Sequence, residues 1–175
     1  MKRLVILGAG GYGQTVADVA SQLGVYGEIV FLDDNSTDER VVGKCVDYTA
    51  FVAPETDIYP AFGNNTVRLE WLTKIADTGG SLPTLIHPTA YVSPLANVEC
   101  GSVVLPKAIV NTNVHVKSGC IVNCGAIIDH GCVLERGVHV CLGAIIKAEN
   151  RILECMKIEA GEVIENRKYP LNGVK

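Results

Sequence analysis

The chain has 175 residues, 48% of them apolar and 19% charged, with 15 Lys and Arg against 19 Asp and Glu for a net charge of −4. That balance supports a sizeable core and excludes an intrinsically disordered chain. No basic run tracks a phosphate backbone, so nucleic acid is not an expected partner.

The N-terminal apolar run stops at Leu7 and glycines come at once, so it reads as a buried strand and not as a secretory core. No stretch reaches the roughly 20 apolar residues of a membrane helix, and no membrane insertion is expected. Seven cysteines, an odd number without a Cys-x-x-Cys pair, fit unpaired thiols in a reducing cytoplasm. The irregular spacing of Cys120, Cys124, Cys132 and Cys141 is not that of a zinc site, and no metal is expected.

Residues 1–80 alternate between strand and helix patterns. Leu4–Leu7 reads as a strand, and residues 13–22 as a helix with Val16, Val19, Ala20 and Leu23 on one face. Ile29–Leu32 and Asp57–Phe62 read as further strands, and residues 66–77 as a second helix with Val67, Leu69, Leu72 and Ile75 toward the sheet. The expected unit is a small Rossmann-like α/β domain, with Thr78-Gly-Gly-Ser as a hinge into the second half of the chain.

From Ile86 the period changes to six. Ile86, Val92, Val98, Val104, Val110, Val116, Val122, Ile128, Leu134, Val140, Ile146, Ile152, Ile158 and Ile164 are all branched apolar residues. Chance would produce such a run with a probability on the order of 10⁻⁶. Four places after each lies a mostly small residue, with polar departures at Asn150 and Glu162, and three places after it glycine recurs. Three six-residue sides make one coil of a parallel β-helix, each side aiming one branched residue inward. The signature resembles the left-handed form, with about four and a half coils over residues 86–169. The expected domains are residues 1–80, a β-helix over 81–169, and a tail over 170–175. Side-by-side packing of short β-helices suggests a homotrimer.

Two places carry candidate chemistry. Gly8-Ala-Gly10-Gly11-Tyr12-Gly13 sits between a strand and a helix, where loop amides bind phosphate. Eighty residues do not hold both halves of a dinucleotide fold, so a nucleotide or nucleotide sugar is expected in preference to NAD, with a purely structural glycine turn as the alternative. Asp33 and Asp34, at a strand end, would bind hydroxyls or form an ordinary acidic turn. In the second half, His130 comes after Asp129 on an outward turn, where a histidine serves as a general base or is simply exposed. His139 lies half a coil further on, on another side of the prism, and would meet His130 only across a subunit interface. His115 and His87 read as structural or exposed.

Val5-Ile-Leu-Gly-Ala-Gly-Gly-Tyr-Gly, Phe31-Leu-Asp-Asp-Asn, Phe62-Gly-Asn-Asn-Thr-Val-Arg and the Ile-Asp-His hexapeptide block together resemble the sugar acyltransferases of the sialic acid O-acetyltransferase (NeuD/PglD-like) family over nearly the whole chain. The resemblance implies a trimeric, cytoplasmic acetyl-CoA-dependent acetyltransferase acting on a nucleotide-linked amino sugar in polysaccharide or glycan synthesis. It implies direct transfer with His130 as base, tuned by Asp129. It assigns Asn123, His139, Gly143 and Ala148 to acetyl-CoA, with backbone amides near the last two as oxyanion donors. Gly10, Gly11, Tyr12, Asp33, Asp34, Gly63, Asn64, Asn65 and Arg68 would hold the nucleotide sugar, Arg68 as a diphosphate partner. Three positions depart from the family pattern: Gly131 stands after the histidine where an acid or amide is common, Tyr12 stands where a histidine is common, and the C-terminal end is short. The short end motivates a second reading, a non-catalytic trimer that binds a nucleotide sugar. A third is an acyltransferase on another small acceptor.

Overall fold

The computed structural model describes residues 1–171. The chain forms two compact units, residues 1–85 and 86–175.

The first unit is a four-stranded parallel sheet in the order β3-β2-β1-β4. Its elements are β1 (Lys2–Leu7), α1 (Gly11–Gln22), β2 (Tyr26–Leu32), β3 (Val41–Gly43), a 3₁₀ turn (Cys45–Phe51), β4 (Thr56–Pro60) and α2 (Asn65–Asp77). Continuous apolar strands suit a sheet covered on both faces, and all five residues of β4 are buried. Helix α1 buries Gly13, Val16, Ala17, Val19 and Ala20, while Leu23 falls at its C-cap. In α2 the inward set is Arg68, Leu69, Leu72 and Ile75, so Arg68 takes the interior place expected of Val67. β3 and the 3₁₀ turn are too short to carry a periodic signature, and the sequence pattern does not reveal them.

Thr78-Gly-Gly-Ser is not a free hinge. The Ile58 N–H donates to the Ser81 carbonyl at 2.8 Å, and the Ser81 hydroxyl donates to the Asp57 carboxylate at 2.7 Å. The first unit therefore continues past residue 80 along the edge of β4.

The second unit is a left-handed β-helix of two-residue strands, with three parallel sheets as its sides. One side stacks β7 (Asn97–Val98), β10 (His115–Val116), β13 (Val133–Leu134) and β16 (Arg151–Ile152). A second stacks β5 (Leu85–Ile86), β8 (Val103–Val104), β11 (Ile121–Val122), β14 (His139–Val140) and β17 (Lys157–Ile158). The third stacks β6 (Tyr91–Val92), β9 (Ile109–Val110), β12 (Ile127–Ile128), β15 (Ile145–Ile146) and β18 (Val163–Ile164).

All fourteen branched residues of the six-residue period belong to the prism core, the last eleven fully buried. Each pairs with its neighbour one coil away, as Val110, Ile128 and Ile146 do. Ala108, Cys120, Ala126, Cys132 and Ala144 fill the small slots, joined by Val114 and Val138.

From residue 101 onward every sixth residue has a positive φ. Seven of these corners are glycine, and five are Lys107, Asn113, Glu149, Cys155 and Arg167 at φ of 54 to 60°. Left-handed backbone costs an L-residue about 1 kcal/mol, which explains the glycine repeat.

Asn150, expected to break the small-residue rule, instead sits fully buried. Its amide donates to the carbonyls of Lys147 and Glu165, both at 2.8 Å, and its Oδ1 accepts from the Tyr169 N–H at 2.8 Å. The last described residues thereby fold back antiparallel, bridging Asn150 and Pro170.

Candidate active site

The glycine loop is set by the ends of β1 and β2. Gly8 turns the chain at φ +99°, and a Cβ on Gly13 would stand 2.0 Å from the Gly8 carbonyl oxygen, so only glycine lets α1 start this close to the strand. The first intrahelical donor is the Gln14 N–H to Gly10 at 3.0 Å. The amides of Gly11, Tyr12 and Gly13 precede it at a helix N-terminus, where anions bind. Gly10 and Gly11 face open space.

Asp33 is already engaged. Its carboxylate accepts from the backbone N–H groups of Ala9 at 2.7 Å, Asn35 at 2.8 Å and Ser36 at 2.7 Å. These donors, Ala9 first, hold its carboxyl below the usual range. Asp34 accepts from the Cys45 N–H at 3.2 Å. Asp33 thus braces the glycine loop through Ala9, and Asp34 braces the start of the 3₁₀ turn.

The third motif is likewise occupied. Asn64 caps α2 by accepting from the Val67 N–H at 3.1 Å. The fully buried Arg68 donates to the Phe62 carbonyl and to Asn65 Oδ1, both at 2.9 Å. Tyr12 points its hydroxyl at that of Tyr59, 2.7 Å away, where burial pushes its phenol well above the ordinary value. Gly63, before the cap, faces open space. Gln14, Asp38 and Arg40 are additions. Gln14 donates to the Ala9 carbonyl at 3.1 Å and to Asp38 at 2.9 Å, and Asp38 pairs with Arg40 at 2.8 Å. Their separation in sequence hides this network.

On the β-helix, His130 stands at the corner after β12. Its Nδ1 lies 3.0 Å from Asp129 Oδ1, which also accepts the His130 backbone N–H at 2.7 Å. Those donors, backbone first, lower the Asp129 carboxyl, and Asn111, one coil earlier, adds a 3.3 Å bond. His130 Nε2 carries no hydrogen bond among the described residues. Its side chain is 58% exposed and opens on a recess of ≈ 200 Å³ shared with Ala148, Glu149, Asn166 and Arg167.

Asn123 and His139 meet on a different side, Nδ2 to Nε2, at 3.3 Å within one chain. His130 and His139 therefore lie on separate sides of the same prism. His115 is exposed on β10. His87 is buried, with its Nδ1 accepting the Thr89 N–H at 3.0 Å.

The amides expected near Gly143 and Ala148 differ. The Gly143 N–H donates to the Cys124 carbonyl at 3.0 Å and is spent. The second place after each inward residue is the one whose amide the ladder does not use. Pro88, Pro94 and Pro106 occupy it, and Asn111, Asn123 and Asp129 cap it at Thr112, Cys124 and His130. Proline fits because no donor is lost there. Leu142, Ala148 and Asn166 are among the residues at that place whose amides donate to no described group, and Ala148 and Asn166 both line the recess of His130.

Among the described residues no group of three His, Cys, Asp or Glu could hold a metal ion, and no helix is long and apolar enough to cross a membrane. None of the cysteines forms a disulfide.

Residues 3–75 match the PglD N-terminal domain family. The chain is similar to the acetyltransferase domain of PglB from Neisseria gonorrhoeae FA1090, with 40% identity over 95% of this chain and 84% of that one and a TM-score of 0.91. The same domain, in a structure in complex with acetyl coenzyme A, matches with a TM-score of 0.90, at 40% identity over 95% of this chain and 83% of that one. A His-to-Asn mutant of perosamine N-acetyltransferase from Caulobacter crescentus, in complex with CoA and GDP-perosamine, shares the fold at 20% identity, with a TM-score of 0.70 over 95% of this chain and 92% of that one. With a Rossmann-like unit ahead of a hexapeptide β-helix and this identity across nearly its whole length, the chain belongs to the PglB/PglD-type family of sugar acetyltransferases.

Proposed function

We propose that the protein transfers an acetyl group from acetyl-CoA directly to the amine of a nucleotide-linked amino sugar, with His130 as general base. The observation that carries this is the Asp129–His130 pair: Asp129 takes Nδ1 and leaves Nε2 facing a recess lined by the unspent Ala148 amide. The acetyl-CoA complex of the 40% identical relative supports the donor.

The amine nitrogen attacks the thioester carbonyl and a C–N bond forms, while His130 Nε2 takes the amine proton. The Ala148 N–H stabilises the oxyanion. The C–S bond then breaks, and His130 returns the proton to the departing sulfur, giving CoA thiol and the acetamido sugar. The amides at the start of α1 suit the diphosphate of a nucleotide, and Asp33 braces their loop through the Ala9 N–H.

The outer residues of one prism side, Tyr91, Ile109, Ile127, Ile145 and Val163, form an unbroken apolar column. Tyr91 is 54% and Val163 44% exposed, which supports a homotrimer built on that side.

The test is calorimetry of acetyl-CoA together with a transfer assay on amino-sugar nucleotides, for the wild type and His130→Ala. Retained coenzyme binding with transfer lowered by at least about 10²-fold supports the reading. Undiminished transfer in His130→Ala, or no coenzyme binding in either protein, overturns it.

A further inference from the structure

Gly131, next to His130, leaves the base without a second acid from its own turn. One coil later, Glu149 occupies that place through space. A Cβ on Gly131 would meet the Glu149 side chain at 3.6 Å, an ordinary contact distance, so Glu149 stacks directly over the Gly131 corner. The Glu149 N–H donates to the His130 carbonyl at 3.1 Å, locking the two corners together. Both side chains line the same recess.

Glu149 is also one of the five non-glycine residues in left-handed backbone, at φ +58°. Glycine would suit that corner better. Backbone strain kept at a site is often tied to its function. Arg167, in the next coil, pairs with the Glu149 carboxylate, and its own side chain is 72% exposed. Arg167 first, and His130 to a lesser degree, hold that carboxyl below its ordinary range.

We infer that Glu149 is the acceptor-recognition residue of this site: its carboxylate receives the ammonium group of an amine acceptor beside His130 Nε2, and it makes the enzyme selective for amines over hydroxyls. This rests on the acetyl-transfer reading for the identity of the recess. A carboxylate balanced by one exposed guanidinium exchanges that partner for a substrate ammonium at little cost, because exposed pairs are weak. A neutral hydroxyl gains no such partner. The bound ammonium loses one proton to solvent before attack, and His130 takes the second. The charged groups facing His130 are Asp129 from its own turn and Glu149 from the next coil. Arg167 reaches it through Glu149, and Lys147 is held by Glu165 at 2.6 Å.

The experiment is calorimetry of UDP- and GDP-linked sugars carrying either an amine or a hydroxyl at the same carbon. The proteins are the wild type, Glu149→Gln, Glu149→Asp and Arg167→Gln, with transfer kinetics measured in parallel. The wild type is expected to prefer the amine about tenfold. Glu149→Gln should lose that preference, raising KM for the amine more than it lowers kcat. Glu149→Asp should restore part of it, and Arg167→Gln should increase it. Unchanged preference in Glu149→Gln overturns the inference, as does absence of any preference in the wild type. An amine preference that depends on Glu149 in a protein that transfers no acetyl group would support the inference and sink the catalytic reading. Binding and transfer therefore fail separately.

Discussion

Asp129 Oδ1 holds His130 twice, accepting its backbone N–H at 2.7 Å and standing 3.0 Å from its ring Nδ1. One oxygen thus fixes both the turn and the orientation of the imidazole, and it places the basic lone pair on Nε2. Asp129→Asn keeps an acceptor for the turn but can present its amide to Nδ1 and favour the wrong tautomer. Transfer is expected to fall about 10²-fold with acetyl-CoA affinity unchanged. Equal loss of coenzyme binding, measured by calorimetry, would assign Asp129 a purely structural role.

Asp33 makes the corresponding brace in the first unit. Its pKa is depressed by the Ala9 amide first, then by Asn35 and Ser36. A carboxylate with a depressed folded pKa stabilises the protein above its unfolded pKa, near 3.9, and that contribution fades as pH falls through the lower folded value. Asp33→Ala should therefore cost about 1–3 kcal/mol at pH 7. The gap to wild type should narrow below about pH 4, as urea melts at both pH values would show. A constant gap across that range would mean that the ionised hydrogen bonds are not its source.

The repeat is legible because a six-residue period writes packing directly into sequence: Val104, Ile128 and Ile146 need only their own spacing to declare themselves inward. His130 with Asp129 is legible because the partners are adjacent. Features set by contacts between coils are not. Glu149 gains its meaning from Gly131 and Arg167, each 18 residues away, and Asn150 from Tyr169. In the first unit, Arg68 reads from the sequence as a diphosphate partner, because α2 alone does not reveal that the buried guanidinium donates to the Phe62 carbonyl.

The corner periodicity makes a paired stability prediction. Gly125 has φ +67° and open space where a Cβ would go, so Gly125→Ala meets no clash and reports backbone strain alone. It should destabilise by about 1 kcal/mol. Lys107 sits at φ 60° in the same pattern, and Lys107→Gly should be stabilising by roughly 0.5–1 kcal/mol despite the added freedom of the unfolded chain. Chemical denaturation of both variants checks the signs. A destabilising Lys107→Gly would show that the lysine side chain contributes more than its strained backbone costs.

Asn150 ties three segments of the chain together through one buried side chain. Its amide satisfies the carbonyls of Lys147 and Glu165, and its Oδ1 receives the Tyr169 N–H. The Arg151 N–H to the Tyr169 carbonyl, at 2.7 Å, completes the return of the chain. That returning segment carries Asn166 and Arg167, which line the recess shared with His130. Asn150→Ala would remove the partner of the Glu165 carbonyl and the Tyr169 N–H and leave the Lys147 carbonyl to the Cys132 thiol alone, costing about 1–3 kcal/mol. Asn150→Asp keeps the acceptor for Tyr169 but loses both donor bonds and buries a charge, so it should be no better tolerated. Both variants should be cleaved faster by protease after Glu165, and both should show a raised KM for the acceptor before the β-helix itself melts, because the core residues from Val104 to Ile146 do not depend on that latch. Melting that coincides with loss of acceptor binding would mean that the C-terminal return and the prism unfold as one cooperative unit.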